Sequence, residues 1–250
     1  MTTEVDKNAY LLPGERLDDL ERNGLYIIQN PKKFCFGMDA VLLSGFMKVK
    51  KNAVLYDMCT GNGIIPLLAS AKTEAKKIYA VEIQEEVWDM ARRSIELNGL
   101  SERICLIKGN IKDSVELVGK NIDAVSCNPP YMPVGSGLVN PDSAKAVARH
   151  EIYCSVSDVC VSASAVLKEG GHLFMVHRPQ RLIEILNCMS ANNLEVKRLR
   201  FVHAHVEKRP SMVLIDAVKG GGRELVVEPP VIIYKEDGSY TDYMRTEFGF

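Results

Sequence analysis

Residues 128–131, Asn128-Pro129-Pro130-Tyr131, put an amide, a carbonyl stiffened by the following ring and an aromatic face into one tetrapeptide. Such a set is well suited to holding a planar amino group, with two acceptors on its protons while the ring covers its π-face. An amine on an sp² centre is a poor nucleophile because its lone pair is delocalised, and acceptors on its protons return electron density to nitrogen. The five residues before it, Asp123-Ala124-Val125-Ser126-Cys127, read as a short buried strand. The two prolines forbid both a longer ladder and a helix start, so the chain opens at this point. An isolated Asn-Pro is commonly only a turn. Here it follows the fourth strand of a β/α series that begins with a glycine loop.

That series positions the tetrapeptide. Ala53–Asp57 is the first core strand, and Met58-Cys59-Thr60-Gly61-Asn62-Gly63 is a glycine-rich turn into a helix from Ile64 to about Lys72. Gly61 and Gly63 allow a tight turn and a close approach of ligand to main chain. The third glycine of the dinucleotide fingerprint is absent, so a pyrophosphate is not the expected ligand. Lys77–Glu82 is a strand ending in a carboxylate 19 residues after Gly63, placed to accept ribose hydroxyls or else to cap the next helix. Gln84–Leu97 carries Val87, Ala91 and Ile95 at helical spacing and ends at Asn98-Gly99. After a third strand, Ile104–Ile107, Asn110 and Ile111 stand where an adenine ring would lie if a nucleoside occupied the first two loops. Asn110 either accepts from that ring's amine or caps the turn beginning at Ile111.

The flanks are less informative. Gly24–Gln29 and Phe34–Phe36 suggest a hairpin, followed by a helix that Asp39 is placed to cap, together a lid-like preface. A long loop with Met132-Pro133, Gly135-Ser136-Gly137 and Asn140-Pro141 follows Tyr131. Arg149-His150-Glu151 leads from it into a helix to about Leu167, which Lys168–Gly171 ends. His172–Val176 is a fifth strand and Arg181 to about Ala191 a helix. Leu194–Val202 and Ser211–Val218 read as an antiparallel pair at the sheet edge. The tail offers short apolar runs near Val226 and Ile232 and no chemistry.

Composition sets the bounds. At 250 residues and 46% hydrophobic, the chain supports one sizeable α/β core. Seven cysteines without a Cys-x-x-Cys pair argue against a disulfide framework and a thiolate zinc site, and fit reduced packing residues. The first residues lack a basic region and an apolar run, and no stretch reaches membrane-span length, which predicts a cytoplasmic protein without membrane or metal. The net charge of -1 gives no global attraction to nucleic acid. Between Arg178 and Arg223, however, nine Lys/Arg stand against four Asp/Glu, which predicts a basic face.

Strand, glycine turn, helix, strand and acid, in that order, resemble the class I S-adenosylmethionine-dependent methyltransferases from Asp57 to about Val218. Asn128-Pro129-Pro130-Tyr131 matches their amino-methyltransferase signature. Phe36-Gly37-Met38-Asp39-Ala40-Val41-Leu42-Leu43, Arg149-His150-Glu151 and Lys219-Gly220-Gly221-Gly222-Arg223 with Pro229-Pro230 are similar to the bacterial tRNA1(Val) adenine-37 N6-methyltransferases. One departure is Asn110, where many relatives carry an aspartate. The resemblance implies an α/β, Rossmann-like fold with a seven-stranded, mostly parallel sheet, helices on both faces and a small N-terminal hairpin and helix. It divides the chain into an extension (1–50), a core (51–220) and a tail (221–250). It implies S-adenosyl-L-methionine as cofactor, held by Asp39, Asp57, Cys59, Gly61, Gly63, Glu82, Ile83, Asn110, Ile111 and Asn128. It implies catalysis at Asn128, Pro129, Pro130 and Tyr131. The implied partner is a tRNA anticodon loop, touched by Arg149, His150, Arg178, Arg181, Lys208, Arg209, Lys219 and Arg223, with the enzyme a monomer or homodimer. Release-factor glutamine methyltransferases share the tetrapeptide but normally carry a separate helical N-terminal domain. Ribosomal guanine N2-methyltransferases share it and are often duplicated.

Overall fold

The computed structural model of the chain describes residues 7–131 and 154–248. Its elements are β1 (Arg16–Asp19), β2 (Tyr26–Gln29), α1 (Met38–Phe46), β3 (Val54–Met58), α2 (Ile64–Lys72), β4 (Lys77–Glu82), α3 (Glu85–Leu97), β5 (Ile104–Lys108), α4 (Ser114–Val118) and β6 (Ile122–Cys127). They continue with α5 (Val156–Val166), β7 (Leu167–His177), α6 (Leu182–Ala191), β8 (Leu194–His203), β9 (Met212–Lys219), β10 (Val226–Val227) and β11 (Val231–Ile232).

The strand order explains where a ligand can sit. From β3 the parallel ladder runs outward through β4 to β5, and the chain then returns so that β6 pairs with the opposite edge of β3. Met58 is in register with Val81 on one side and Cys127 on the other. The carboxyl ends of β3 and β6 therefore open side by side where the direction of winding reverses, the crevice that open α/β sheets use for ligands. β7 continues parallel to β6, and β9 and β8 complete the sheet antiparallel. These are the seven expected strands. The tail adds more than the sequence suggested: β10 and β11 run parallel along β8, which brings the sheet to nine strands and takes β8 away from its edge.

Both faces are covered, which is why the inner strands read as nearly unbroken apolar runs. On one face Leu42, Leu43 and Leu67 of α1 and α2 pack with Phe174, and on the other Val159, Val166 and Met189 of α5 and α6 pack with Val125 and Leu173. Each of these is at most 1% exposed, and burying such a side chain stabilises the fold by about 1.5–3 kcal/mol.

Three local expectations are corrected. β2 pairs antiparallel with Arg16–Asp19 and not with 34–36, where a single bridge joins Asn30 and Phe34. The reason is that amides of β2 are already bound by α3: Ile28 N–H donates to Ser94 Oγ at 3.0 Å and Tyr26 N–H to Asn98 Oδ1 at 2.9 Å. Lys168–Gly171 do not end a helix but belong to β7, which starts directly after α5. Gly170 at φ +72° supplies the bend, and Gly171 lies so close to Asp123 O and Lys168 O that no larger residue fits. The helix expected to begin near Arg149 is described from Val156, where Ser155 and Asp158 form a reciprocal capping box.

The N-terminal segment is held on α3 by Arg93, 7% exposed, which pairs with Glu15 at 2.6 Å and with Asp89 at 2.8 Å and donates to Tyr10 O. Among the described residues no helix is long and apolar enough to cross a membrane.

Candidate active site

A cavity of about 720 Å³ opens at the carboxyl ends of β3, β4 and β6. Its first half is the glycine turn. Gly61 (φ +60°) and Cys59 (φ +55°) are both left-handed, so the backbone doubles back at the end of β3 and presents its edge to the cavity. A Cβ on Gly61 would stand 2.6 Å from the Phe34 ring, which therefore roofs the turn. Glu82, at the end of β4, ties this turn to the next. Its Oε2 accepts from Gly61 N–H at 2.9 Å and its Oε1 from the amides of Ile83 and Gln84 at 3.0 and 2.9 Å. Burial nonetheless holds its carboxyl above the usual range. Glu82 does not cap α3, whose N-cap is Gln84.

Asn110 caps the turn at Ile111, its Oδ1 accepting from Lys112 N–H at 3.0 Å. It also lines the cavity with Ile111 and Ile83, so the capping role leaves it on the cavity wall. Asp57 and Gly63 stand behind the cavity wall. Asp57 is fully buried, accepts from Ser126 Oγ at 2.6 Å, and has its carboxyl pushed up to about 7 by burial. Gly63 is the left-handed N-cap of α2, where a Cβ would touch Ala91 at 3.4 Å.

The second half is the tetrapeptide, and all four of its residues line the cavity. Tyr131 is held from three directions. Its hydroxyl is in hydrogen-bond contact with Asp39 Oδ2 at 2.6 Å and with Asn128 Oδ1. Its ring meets His177 edge-on at 5.2 Å, and the Arg178 guanidinium lies 5.0 Å from its centroid. Asp39 is the second residue of α1, after an N-cap at Gly37, so it does not cap the helix. One of its oxygens binds Ala40 N–H and the other reaches Tyr131. His177 is fully buried and accepts from Arg178 N–H on Nδ1, and burial lowers its pKa to about 4. It is neutral near pH 7, with its proton on Nε2.

Among the described residues, sequence reasoning missed Phe34, Thr60 and Cys154 as parts of the cavity wall. Phe34 lies in the segment read as a lid, Thr60 inside the glycine turn, and Cys154 three residues after the Arg149-His150-Glu151 motif. Of the cations expected on the substrate, Arg149 and His150 lie outside the described residues. Arg178 lines the cavity and donates to Ser211 O at 3.0 Å. Arg181 pairs with Glu184 at 2.5 Å. Lys208 and Arg209 are exposed in the turn between β8 and β9. Because His177 is in register with Val213, that turn lies at the same end of the strands as the cavity. Lys219 ends β9 and Arg223 follows it, at the opposite end of a strand eight residues or about 25 Å long. Lys219 Nζ donates to Ser164 O and Leu167 O at the end of α5, which is a helix-capping role. The basic stretch is thus not a one-sided face. Arg198 is also spent inside the protein, pairing with Asp216 at 2.8 Å and Glu228 at 2.9 Å.

The methyltransferase small domain family matches residues 37–198, which contain α1, the glycine turn and the tetrapeptide. A tRNA1(Val) (adenine(37)-N6)-methyltransferase of Trichodesmium erythraeum is 28% identical over 169 residues, covering 64% of this chain and 70% of that protein. One of Aeromonas hydrophila is 26% identical over 208 residues, covering 82% and 85%. Among solved structures, a predicted O-methyltransferase from Agrobacterium tumefaciens superposes with TM-score 0.68 at 22% identity, over 84% of this chain and 95% of that one. The Methanocaldococcus jannaschii tRNA m1G37 methyltransferase does so with TM-score 0.59 at 18% identity, over 84% and 55%. Both likenesses are of fold.

Proposed function

This chain belongs to the methyltransferase small domain family, and on that premise we propose that it transfers a methyl group from S-adenosylmethionine to the N6 amine of an adenine in tRNA. The target proposed is the purine at position 37, immediately 3′ of the anticodon of a valine-type tRNA. The names carried by the similar proteins support this reading. The observation that carries it is the placement of Asn128-Pro129-Pro130-Tyr131 on the wall of the same cavity as the glycine turn and Glu82. A loop purine is a reasonable target, since unstacking it costs less than extracting a base from a duplex.

The cofactor fits the residues present. Glu82 Oε2 has spent one lone pair on Gly61 and keeps another for a ribose hydroxyl, whereas Oε1 is already shared by two amides. Ile83, Ile111 and Asn110 offer apolar cover and an amide to a base, and the backbone from Cys59 to Gly61 allows close approach. S-adenosylmethionine supplies a methyl already activated on a sulfonium. The protein's part is to hold the acceptor. Asn128 Oδ1 and the Pro129 carbonyl accept the two N6 protons, and Tyr131 stacks on the purine with the face that Arg178 leaves free. Most of the rate then comes from position and from acceptors already oriented.

Labelled S-adenosylmethionine, total unmodified tRNA and release factor as a parallel acceptor, followed by nucleoside analysis, test the assignment. N6-methyladenosine in tRNA is the expected product. Label in the protein alone would move the acceptor to a glutamine amide.

A further inference from the structure

At the acceptor end of the cavity the Asp39 carboxylate, the Tyr131 hydroxyl and the Asn128 amide oxygen meet. These three oxygens share one hydrogen, that of the phenol. Two acceptors therefore compete for a single donor, and the loser keeps its lone pairs for something else. A carboxylate is the stronger acceptor, because a hydrogen bond to an ionised partner is roughly twice as strong as a neutral one. The hydroxyl is within hydrogen-bond reach of both Asp39 Oδ2, at 2.6 Å, and Asn128 Oδ1, so the carboxylate competes with the amide oxygen for its proton. The lone pairs that the carboxylate spares on Asn128 Oδ1 are then open to the acceptor amine, which carries two N–H bonds.

We propose that Asp39 is a positioning residue for methyl transfer: by taking the Tyr131 hydroxyl proton it keeps Asn128 Oδ1 free for the amine of the acceptor. The assignment rests on the acceptor reading above and replaces the cofactor contact expected of Asp39 from sequence. The surrounding contacts make the competition hard to escape. Edge contact with His177 at 5.2 Å and the Arg178 guanidinium at 5.0 Å fix the ring, so its hydroxyl stays within reach of both oxygens. Asp39 is itself held, since its other oxygen binds Ala40 N–H at 2.9 Å in the first turn of α1. Remove the carboxylate, and among the described residues the phenol's one remaining acceptor is the amide oxygen that the substrate needs.

A double-mutant cycle separates this role from a structural or cofactor-binding one. Asp39→Ala is expected to lower kcat/KM for tRNA roughly tenfold, the size of one competing hydrogen bond. Tyr131→Phe lowers activity on its own account through the site it alters. In the Tyr131→Phe background the competing hydroxyl is gone, so adding Asp39→Ala is expected to change kcat/KM less than about twofold. S-adenosylhomocysteine affinity, measured by calorimetry, is expected to be the same with and without Asp39→Ala. An equal loss in both backgrounds, or a cofactor affinity that falls along with the rate, overturns the proposal. A second readout needs no RNA: the ¹³Cζ resonance of Tyr131, assigned by its disappearance in Tyr131→Phe, is expected to shift in Asp39→Asn. An unmoved resonance overturns the proposal even if the wild-type chain methylates tRNA. A shifted one supports it even if the acceptor proves to be another amine.

Discussion

On the glycine-turn side of the cavity, Glu82 and Asn110 are satisfied by backbone: Glu82 takes the amides of Gly61, Ile83 and Gln84, and Asn110 takes that of Lys112. On the tetrapeptide side, side chains meet side chains. Tyr131 reaches Asp39 across 92 residues, and its ring rests on His177 and Arg178 from the end of β7. Backbone donors are placed by the strand ends and cannot be exchanged, so the first half is a rigid cradle. The second half contains a hydroxyl with two possible acceptors, so its chemistry depends on how one proton is shared. Methyl transfer asks for both properties. The cofactor needs one fixed pose, while the acceptor amine must displace whatever occupied its acceptor before.

The largest effect expected falls on the second half alone. Asn128→Ala should reduce transfer on the order of 10²–10³-fold, as does loss of an oriented group at a reacting centre, with cofactor affinity unchanged by calorimetry. If affinity falls in parallel, the two halves are not separable. The first half should respond in stability. The Asp57 carboxyl titrates near 7 in the folded chain against an ordinary 3.8, so the folded state holds a proton that the unfolded state releases. Stability is therefore lost as pH rises through that window, and between pH 5 and 8 the loss attributable to Asp57 is about 2–3 kcal/mol. Asp57→Asn should abolish that part of the slope in urea unfolding, and parallel wild-type and variant curves would show Asp57 already ionised at pH 5.

Gly61→Ala comes next. Its Cβ would stand 2.6 Å from Phe34 on a backbone at φ +60°, so the roof must move. A loss of about 1–2 kcal/mol in stability and weaker S-adenosylhomocysteine binding are expected. Unchanged binding would mean that Phe34 does not shape the cradle. The smallest effect separates the two ends of the sheet's strands. Lys208→Ala with Arg209→Ala should reduce the salt dependence of tRNA binding by about one to two in log–log slope, as loss of phosphate contacts does. Lys219→Ala should leave that slope unchanged and lower stability by about 1 kcal/mol, because it caps α5.

Much of this was legible in the residues because it is local. The span Lys77–Glu82 is the strand the structure shows, and the helical spacing of Val87, Ala91 and Ile95 marks the buried face of α3. What misled was equally local: Phe34–Phe36 looks like a second hairpin strand until one sees that Ser94 and Asn98 occupy β2 amides. Lys219 and Arg223 looked like Lys208 and Arg209 because charge counts carry no register.

The sequence by itself determined the order of strand, glycine turn, acid and Asn-Pro-Pro-Tyr, and with it the class of chemistry. These depend on backbone freedom at Gly61, on proline geometry and on hydrophobic period, all of which act within a few residues. Only the tertiary structure decided that Asp39 belongs to Tyr131 and not to a helix cap, that the tail completes the sheet, and which cations share an end of the sheet with the cavity. Each of those depends on strand register and on elements separated by tens of residues, where a pairing is chosen by the geometry of the assembled sheet.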